Sequence, residues 1–482
     1  MYFALIPISL LVTAAIVWSM GIHGSFQFDD FGVIVADPRV QSLTAWWESM
    51  PGIRPVLKLT YALNHEYGSD ATGFRTVNVV LHAINTVLVY GVTLLLGQQI
   101  AQRPDNIRTA SAPVAAGIAA MLFALHPVQA DAVTYISGRS TSLAALFSLL
   151  TIALWAASRR DAALAPTARS NRVMHLAAYV TLALALGCKE VSVATVPAMG
   201  LWVLCTGSQD RLLSSRVLRD LTHSVGPYAL VVLLALVAAI WVTPYPRLLA
   251  QAAVGHTLSG NLWTQANGVS YLIGQLLLVR LPNPDAGLAQ VVQPGAATML
   301  RAMMLLVLIG LGLSQLRRRP AVAFGMLWFF IWLAPTNSVL SRMDVAFDRQ
   351  LYLAMIGPAW LLGWKLSSIQ KRCGRVGAVV PVVMLAILLG QRSLAQQSIY
   401  ENEITFWEHV LRQTPGNARA ANNLGMAYAA ACRETDALRA FARAQSLDPG
   451  DFRPRINAQL LALRQLPGVP ARCADVRVSA TM

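Results

Sequence analysis

The sequence predicts an all-α fold, in which a polytopic membrane bundle of about eleven spans is followed by a short helical region. Of the 482 residues, 55% are hydrophobic and only 13% are charged, whereas soluble domains are about a quarter charged. Apolar runs of near-spanning length recur from residue 3 to residue 393, and polar or basic residues end each run. Lipid offers no partner to an unpaired backbone group, so these runs are expected to be helices.

Each span is predicted from an apolar run, because a bilayer core needs about 20 apolar residues per helix. The predicted spans are 3–20, 76–97, 113–127, 141–158, 173–187, 190–207, 225–243, 299–316, 321–335, 350–367 and 376–393. The N-terminus lacks the basic stretch of a signal peptide, so the first run is expected to be retained as a span. Together these runs define a membrane domain at 1–393.

Basic residues predict the orientation of the bundle, because cytoplasmic loops are enriched in Lys and Arg. The arginines and lysine in question occupy alternate loops: Arg103, Arg108, Arg159, Arg160, Arg169, Arg172, Arg211, Arg216, Arg219, Arg317, Arg318, Arg319, Lys371, Arg372 and Arg375. This pattern places the N-terminus in the cytoplasm and residues 394–482 outside, in the periplasm if the membrane is a Gram-negative inner membrane. It also accounts for the net charge of +15 without nucleic acid, since no loop interleaves arginines with aromatic residues.

The apolar segment 263–281 is the exception in this pattern. If it crossed the membrane, the three arginines at 317–319 would face outward, against the positive-inside rule. We therefore expect an in-plane or re-entrant helix there, within an outer loop at 244–298.

The C-terminal region contains one unit with the spacing of a tetratricopeptide (TPR) repeat, at about 416–449. The matching residues are Leu424, Gly425, Tyr428, Ala437, Phe441, Ala444 and Pro449. Trp407 and Pro415 precede Phe441 and Pro449 by 34 residues each, and a weaker helix is expected at 453–465. Because stacked repeats bury one another, one repeat should pack on the membrane domain or on a partner.

The five cysteines are Cys188, Cys205, Cys373, Cys432 and Cys473, and their spacing is not that of a metal site. Cys432 and Cys473 are compatible with a disulfide or with two free thiols.

The longest loop before the C-terminal region, 21–75, carries the first candidate for chemistry. It contains Asp29 and Asp30 directly after Phe28, and the cations Arg54 and Lys58 follow. Paired carboxylates can hold a divalent cation such as Mg²⁺ or Mn²⁺, or act as a general base. A solvated turn is the alternative.

Polar residues also recur inside the second span and in three outer turns. Arg75, Asn78, His82 and Asn85 share one helix face, and inter-helical hydrogen bonding is favoured over catalysis for them. The turns carry His126, Asp131, Arg139, Lys189, Glu190, Arg349 and Tyr352, the last two within 344–352. Because all lie on the predicted outer side, we expect Arg139, Lys189 and Arg349 to neutralise the phosphate of a lipid-borne substrate.

The order of these motifs resembles the family of transmembrane and TPR-containing O-mannosyltransferases, glycosyltransferases of the GT-C fold. The motifs are Phe28-Asp29-Asp30, Arg54-Pro55, Asn78 with Leu81-His82-Ala83, Leu122 through Gln129, Ile136-Ser137-Gly138-Arg139, Lys189-Glu190, and Arg349 with Leu351-Tyr352. Residues 244–298 match poorly, keeping only Pro282 and Asp285, and the repeat array is short.

The resemblance implies a glycosyltransferase that uses a polyprenyl-phosphate-linked sugar. It implies a catalytic or metal-binding role for Asp29 and Asp30, and a catalytic role for Asp131. Substrate-binding roles are expected for Arg54, Lys58, His82, His126, Arg139, Lys189, Glu190, Arg349 and Tyr352. The acceptor would be a protein or glycan, brought by the repeat, and single displacement would invert the anomeric centre.

A different interpretation is a non-enzymatic scaffold whose repeat binds an envelope protein, but it assigns no role to Asp29, Asp30 and the charged turns. A transporter is less favoured, since the halves show no matching pair of interrupted helices.

Overall fold

The computed structural model describes residues 2–102, 111–163, 168–207, 214–247, 250, 257–339 and 345–463, and side chains at 2–4, 160–163, 168–170 and 370–378 are excepted. Within these ranges the regular structure is helical throughout, as the sequence predicts. Several residues that the sequence singled out lie outside the described parts: Arg103, Arg108, Arg211, Asp344 and Cys473. The choice between a Cys432–Cys473 disulfide and free thiols therefore stays open.

Fifteen α-helices form the membrane domain and four follow it. The first group is α1 (Tyr2–Ser19), α2 (Leu43–Glu48), α3 (Pro55–Tyr67), α4 (Ala71–Ala101), α5 (Ala112–Leu125), α6 (Ala130–Val133), α7 (Arg139–Ala163), α8 (Ala168–Cys188), α9 (Thr195–Thr206), α10 (Ser215–Val242), α11 (Leu258–Leu276), α12 (Ala296–Arg318), α13 (Pro320–Leu333), α14 (Leu351–Ala354) and α15 (Ile356–Gln397). The second group is α16 (Glu403–Gln413), α17 (Ala418–Ala430), α18 (Glu434–Leu447) and α19 (Arg453–Ala462). These counts refer to the described ranges alone.

Six helices in the described ranges are long and apolar enough to cross a membrane. They are Ala71–Ala101, Ile136–Arg159, Asn171–Cys188, Ser215–Val242, Ala296–Arg318 and Val379–Tyr400. Ala112–Leu125 and Pro127–Val133 form a seventh span if they are counted together, although they meet at a bend of 54°. Three shorter apolar helices coincide with the predicted spans 3–20, 190–207 and 321–335. The fold is thus a polytopic helical bundle, while the figure of eleven spans stays a prediction.

Helix α15 packs both of its halves against α5. A side chain at Gly363 would clash with the carbonyl of Ala115, and Ser393 donates a hydrogen bond of 2.7 Å to the carbonyl of Leu125. Thirty residues of straight helix extend about 45 Å, but the ten residues between Ala115 and Leu125 extend only about 15 Å. The chain must therefore bend sharply between the two contacts, which is compatible with the two predicted spans at 350–367 and 376–393.

The loop between α1 and α4 folds over the end of the bundle. It contains a π-helix at Phe31–Val35 and a 3-10 helix at Pro38–Val40, followed by α2 and α3. Ile34 and Val40 are fully buried there beside Phe74 of α4. This packing carries the Asp29–Asp30 turn onto the protein rather than into solvent.

Helices α16 to α19 follow the membrane domain after a single 3-10 turn at Ser398–Tyr400. Asn402 caps α16 by accepting from the backbone N–H of Thr405. Helices α17 and α18 pack closely, because a side chain at Gly425 would clash with the Phe441 ring. Four of the repeat residues are buried: Leu424, Ala437, Phe441 and Ala444. The Tyr428 hydroxyl donates a hydrogen bond to the Glu408 carboxylate. Pro449 follows the end of α18. The assignment of this helix pair as a TPR repeat stays a prediction.

Helix α11 covers most of the segment 263–281, and it is not among the six helices that qualify as spans in the described ranges. After it, residues 281–283 and 285–290 run without helix toward the C-terminal helices. Arg419 of α17 forms an ion pair of 2.9 Å with Asp285 in this segment. The loop at 244–298 and the C-terminal region therefore lie on the same side of the bundle.

Candidate functional site

The Phe28-Asp29-Asp30 turn lies against the loop that precedes α7. Both Asp30 carboxylate oxygens accept hydrogen bonds: Oδ1 from the backbone N–H and the hydroxyl of Ser137, and Oδ2 from the backbone N–H of Gln27 at 3.0 Å. Asp30 is only 1% exposed. The turn is therefore held in one orientation by backbone donors from two segments.

Burial raises the pKa of the Asp30 carboxyl to about 6, although the hydrogen bonds from Ser137 and Gln27 and the charge of Arg75 act in the opposite direction. A carboxyl with a pKa of this kind changes its protonation state close to neutral pH. That property suits a general acid or base.

Asp29 lies beside Asp30 but is less buried. Its backbone N–H donates a hydrogen bond of 3.1 Å to the hydroxyl of Tyr135. The ring of Tyr135 in turn lies 5.7 Å from the guanidinium of Arg349. Tyr135 thus connects the Asp29–Asp30 turn to the second charged group of the site.

That second group is the ion pair between Asp131 and Arg349. The Arg349 guanidinium lies 3.3 Å from Asp131 Oδ1, and its backbone N–H donates to Oδ2 at 3.0 Å. Asp131 is 1% exposed, so the ion pair is buried on the carboxylate side. The structure thereby brings together two predicted site residues that are 218 positions apart.

Asp348 is a buried carboxyl of the polar turn at 344–352, and the sequence predicted no site role for it. It is 1% exposed, and its Oδ1 has no hydrogen-bond partner among the described residues. Burial and the nearby charge of Asp131 hold the pKa of the Asp348 carboxyl well above its ordinary value. Its neighbour Arg349 was selected because it is a cation in a polar turn, whereas the burial of an acid cannot be read from local sequence.

Lys189 and Arg349 line a common cavity of about 40 Å³, together with Thr141, Phe347 and Gln350. Lys189 donates a hydrogen bond of 2.6 Å to the hydroxyl of Thr141. The Arg349 guanidinium stacks over the Phe347 ring at 4.0 Å. Two of the three cations predicted to neutralise phosphate therefore share one cavity.

Arg139, the third of these cations, has a different environment. Its guanidinium is fully buried and donates to Asn78 Oδ1 and Asn64 Oδ1 at 2.8 Å each. It also donates to the backbone carbonyls of Thr60 and Phe74. These bonds join α3, α4 and α7, so Arg139 stabilises the end of the bundle that carries the Asp29–Asp30 turn.

Arg54 and Glu190 pair across the site entrance. Arg54 donates two hydrogen bonds to the Glu190 carboxylate, at 2.9 and 2.8 Å, and the Tyr245 hydroxyl donates to the same carboxylate. Arg54 has a φ of +54°, in the left-handed region that non-glycine residues rarely occupy. The pair links the first loop to the turn that carries Lys189.

Lys58 pairs with Asp37 of the same loop at 3.2 Å, and Arg39 is a second partner of that carboxylate at 2.7 Å. The hydrogen bonds and charges of these two cations outweigh burial and lower the pKa of Asp37. Lys58 therefore stabilises the loop and lies outside the Lys189–Arg349 cavity lining.

His82 and Tyr352 form a buried hydrogen-bonded network in the bundle. His82 Nε2 lies 3.2 Å from the carbonyl of Ala124, and Nδ1 lies 2.9 Å from the Tyr352 hydroxyl. Because a carbonyl only accepts, Nε2 carries the proton and Nδ1 accepts from Tyr352. Asn85 donates to the same hydroxyl at 3.1 Å. The polar face of α4 thus serves inter-helical hydrogen bonding, as favoured from the sequence.

His126 has a comparable role at the bend after α5. Its Nε2 donates to the carbonyl of Leu276 at 3.0 Å, and its Nδ1 accepts from the backbone N–H of Val128. The side chain therefore ties the bend to the end of α11.

A metal site at Asp29 and Asp30 is not assembled by the described residues themselves, among which no group of three or more His, Cys, Asp or Glu side chains could hold an ion. Asp30 already accepts three hydrogen bonds from protein donors. The described side chains therefore do not form a metal centre by themselves, and a cation shared with a substrate phosphate stays a proposal.

Tyr400 is another residue that the sequence did not single out. It is fully buried, its hydroxyl has no hydrogen-bond partner in the described parts of the chain, and its ring lies 6.2 Å from that of Tyr135. Asp131, Asp348 and Arg349 all lie within electrostatic range of it. No local pattern in the sequence indicates this proximity, since Tyr400 follows the last predicted span.

Comparison with known proteins agrees with the resemblance that the motifs carry. Protein O-mannosyl-transferase TMTC4 of Homo sapiens is 24% identical over 476 residues, which cover 88% of this chain and 64% of the relative. Protein O-mannosyl-transferase TMTC3 of Mus musculus is 23% identical over 517 residues, 92% of this chain and 51% of the relative. Protein O-mannosyl-transferase F38B6.6 of Caenorhabditis elegans is 32% identical over 152 residues, 28% of this chain.

The chain is therefore a distant relative of these transferases over most of its length, and the resemblance inferred from motifs is confirmed. TMTC4 and TMTC3 are longer proteins, and the match to this chain covers about two thirds and about half of their lengths, respectively. No protein-family model matches the chain. No solved structure matches it either.

Proposed function

We propose that this protein is a membrane glycosyltransferase that moves a sugar from a polyprenyl-phosphate donor to an acceptor hydroxyl. The observation that carries the proposal is the arrangement of the Asp29–Asp30 turn beside the cavity lined by Lys189 and Arg349. In this arrangement Tyr135 lies between the turn, whose Asp30 carboxyl has a pKa of about 6, and Arg349, which lines the cavity together with Lys189. A sugar phosphate needs both kinds of group for transfer.

The reaction would be a single displacement. The acceptor oxygen attacks the anomeric carbon, the bond from that carbon to the phosphate oxygen breaks, and the lipid phosphate leaves with the electron pair. A carboxylate of the Asp29–Asp30 turn takes the proton of the acceptor hydroxyl. Lys189 and Arg349 stabilise the charge on the departing phosphate. Attack opposite the leaving group inverts the anomeric centre.

The names of the relatives suggest the substrates to test first. They are called protein O-mannosyl-transferases, so mannose is the first donor sugar and a protein hydroxyl the first acceptor. The C-terminal helices lie on the side of the bundle that carries Asp30, because Phe28 contacts Trp407 with ring centroids 5.1 Å apart. That location supports a role for them in presenting the acceptor.

Alternating basic loops support a multi-pass protein of the bacterial inner membrane, with a cytoplasmic N-terminus and periplasmic C-terminal helices. We also propose that a divalent cation, if one is needed, binds with the lipid phosphate. Chelation with EDTA followed by addition of Mg²⁺ or Mn²⁺ tests that point.

The central test is transfer from polyprenyl-phosphate mannose in membranes that contain Asp29→Asn, Asp30→Asn or Glu66→Gln variants. Glu66 is an exposed carboxylate of the same loop, so its variant controls for loss of charge there. We expect at least one aspartate variant to lose about 100-fold or more of the rate, and Glu66→Gln to retain it. Full activity in both aspartate variants would remove the assignment.

The alternative function, a non-enzymatic scaffold, predicts a different experimental result. A non-enzymatic protein would show no transfer with any donor, while residues 394–482 would still retain an envelope protein in a pulldown with the full chain as reference.

A further inference from the structure

The Asp29–Asp30 turn begins with a backbone conformation that needs support from elsewhere. Phe28 has a φ of +48°, in the left-handed region where a bulky side chain is an outlier. Such conformations persist only where surrounding structure determines them, and they cluster at functional sites. Contacts from another part of the chain must therefore hold Phe28 in this conformation.

The contacts come from α16 of the C-terminal region. The backbone N–H of Phe28 donates a hydrogen bond of 3.0 Å to Glu403 Oε1, 375 positions away in the chain. The Phe28 ring meets the Trp407 ring edge to face, and Trp407 is 1% exposed. One helix therefore fixes both the backbone and the side chain of the residue before Asp29.

The start of the helix that carries Glu403 is well defined. Asn402 caps the helix immediately before it, and the Asn402–Thr405 capping box closes the first turn. A carboxylate in the first turn of a helix also interacts favourably with the helix dipole. Glu403 therefore presents its acceptor oxygen to Phe28 from a defined position.

The attachment of the C-terminal region does not depend on Glu403 alone. Ser25 donates from its backbone N–H to the carbonyl of Glu401 at 3.0 Å, and Arg75 donates to the carbonyl of Tyr400 at 2.7 Å. The Arg419–Asp285 ion pair and a hydrogen bond from His409 to the carbonyl of Pro282 secure the other end. Removing the Glu403 carboxylate should leave the region docked, which makes its local role measurable.

We infer that Glu403 is a positioning residue for the transfer reaction: through its hydrogen bond to Phe28 it orients the Asp29–Asp30 turn, so the C-terminal helices are part of the active site. This inference rests on the proposed function for its catalytic consequence, but the contact itself is testable without activity. Because catalysis depends on geometry, a small shift of the turn lowers the rate of transfer more than donor affinity.

The test compares Glu403→Ala, Glu403→Gln and Glu408→Ala in the full-length protein. Gln retains an oxygen that accepts from Phe28, whereas Ala does not. Glu408 lies in the same helix and accepts from Tyr428 at 2.7 Å, so its variant removes a carboxylate from α16 without touching Phe28. Two readouts are measured: kcat and KM for sugar transfer, and hydrogen–deuterium exchange of the amides in residues 24–31.

We expect Glu403→Ala to lower kcat about tenfold or more while KM for the donor changes less than about twofold. Amide exchange at 24–31 should rise about tenfold in the same variant. Glu403→Gln should restore both values, and Glu408→Ala should leave both at the wild-type level.

Unchanged exchange at 24–31 in Glu403→Ala overturns the inference, whatever the activity. Raised exchange with an unchanged kcat also overturns it, because the contact would then be structural only. A wild-type protein that transfers no sugar refutes the proposed function instead, and the catalytic part of the inference with it, while the exchange data still decide the contact.

Discussion

Two arginines near the Asp29–Asp30 turn, Arg139 and Arg349, were expected to bind phosphate, and the structure gives them opposite environments. Arg139 is fully buried, and its donors serve acceptors on α3 and α4. Arg349 is partly exposed at a cavity and pairs with the carboxylate of Asp131. Both residues occupy polar turns that look alike in the sequence. Their different roles therefore follow from the partners that each guanidinium finds in the folded protein.

The largest effect is expected from Arg139→Leu. The substitution leaves the amide oxygens of Asn64 and Asn78 buried without their donor, and each such group costs about 1–3 kcal/mol, whereas the carbonyls of Thr60 and Phe74 lie within helices and keep their backbone donors. The protein should therefore lose about 2–6 kcal/mol of unfolding free energy and be recovered in low yield. Thermal unfolding of the detergent-solubilised protein measures this. A variant with wild-type melting but no sugar transfer would place Arg139 in the same class as Arg349.

Arg349→Gln should fold but transfer sugar about 100-fold more slowly, because one charge that stabilises the departing phosphate is lost. The unpaired Asp131 carboxylate complicates this variant. The double variant with Asp131→Asn removes that charge, and its activity should stay low. Recovery of activity in the double variant would mean that Arg349 serves only to neutralise Asp131.

The carboxyl group of Asp30 should make both the rate of transfer and the free energy of unfolding depend on pH. Transfer should increase as pH rises through about 6, because the carboxyl must lose its proton before it can accept one from the acceptor. The free energy of unfolding should decrease as pH rises over the same range. Since the pKa is raised from 3.8, the folded state binds more protons between pH 3.8 and about 6, and unfolding free energy falls across that interval.

Asp30→Asn should make unfolding free energy fall less steeply with rising pH within this window, since Asp348, whose pKa is also raised, still contributes to the slope. Chemical denaturation at pH 4, 5 and 6 measures it, with Glu66→Gln as the control. An unchanged slope would show that other groups titrate there.

The smallest effect is expected from Lys58→Ala. Asp37 keeps Arg39 as an ion-pair partner, so the free energy of unfolding should fall by less than about 1 kcal/mol. The rate of sugar transfer should change little. Transfer kinetics and thermal unfolding check both points. A large loss of transfer at unchanged stability would add Lys58 to the cations that contact the donor.

Helix positions and the common side of the polar turns were predictable from the sequence, because hydropathy and basic loops report on them directly. The bend in α15 agrees with a basic segment between two apolar runs. The contact between the first loop and residues that follow the last span was also expected in outline, as a shared side of the membrane.

The pairing of individual side chains was not predictable. Ser137 meets Asp30, Asp348 lies near Asp131, and Glu403 reaches Phe28 only because distant segments are packed together. A local pattern shows which residues are charged, but hydrogen-bond partners and burial depend on the tertiary fold. For that reason the sequence could not separate Arg139 from Arg349.

The single turn at Ser398–Tyr400 between the last membrane helix and α16 has a kinetic consequence. A flexible linker would let a protein captured by the C-terminal helices diffuse through a large volume, diluting its hydroxyl groups around Asp30. With three residues of 3-10 helix and several hydrogen bonds in its place, a captured chain would remain within a narrow volume. Its effective concentration at the carboxylates would then be set by its own flexibility, so sites at a fixed reach from the docked segment would be modified first.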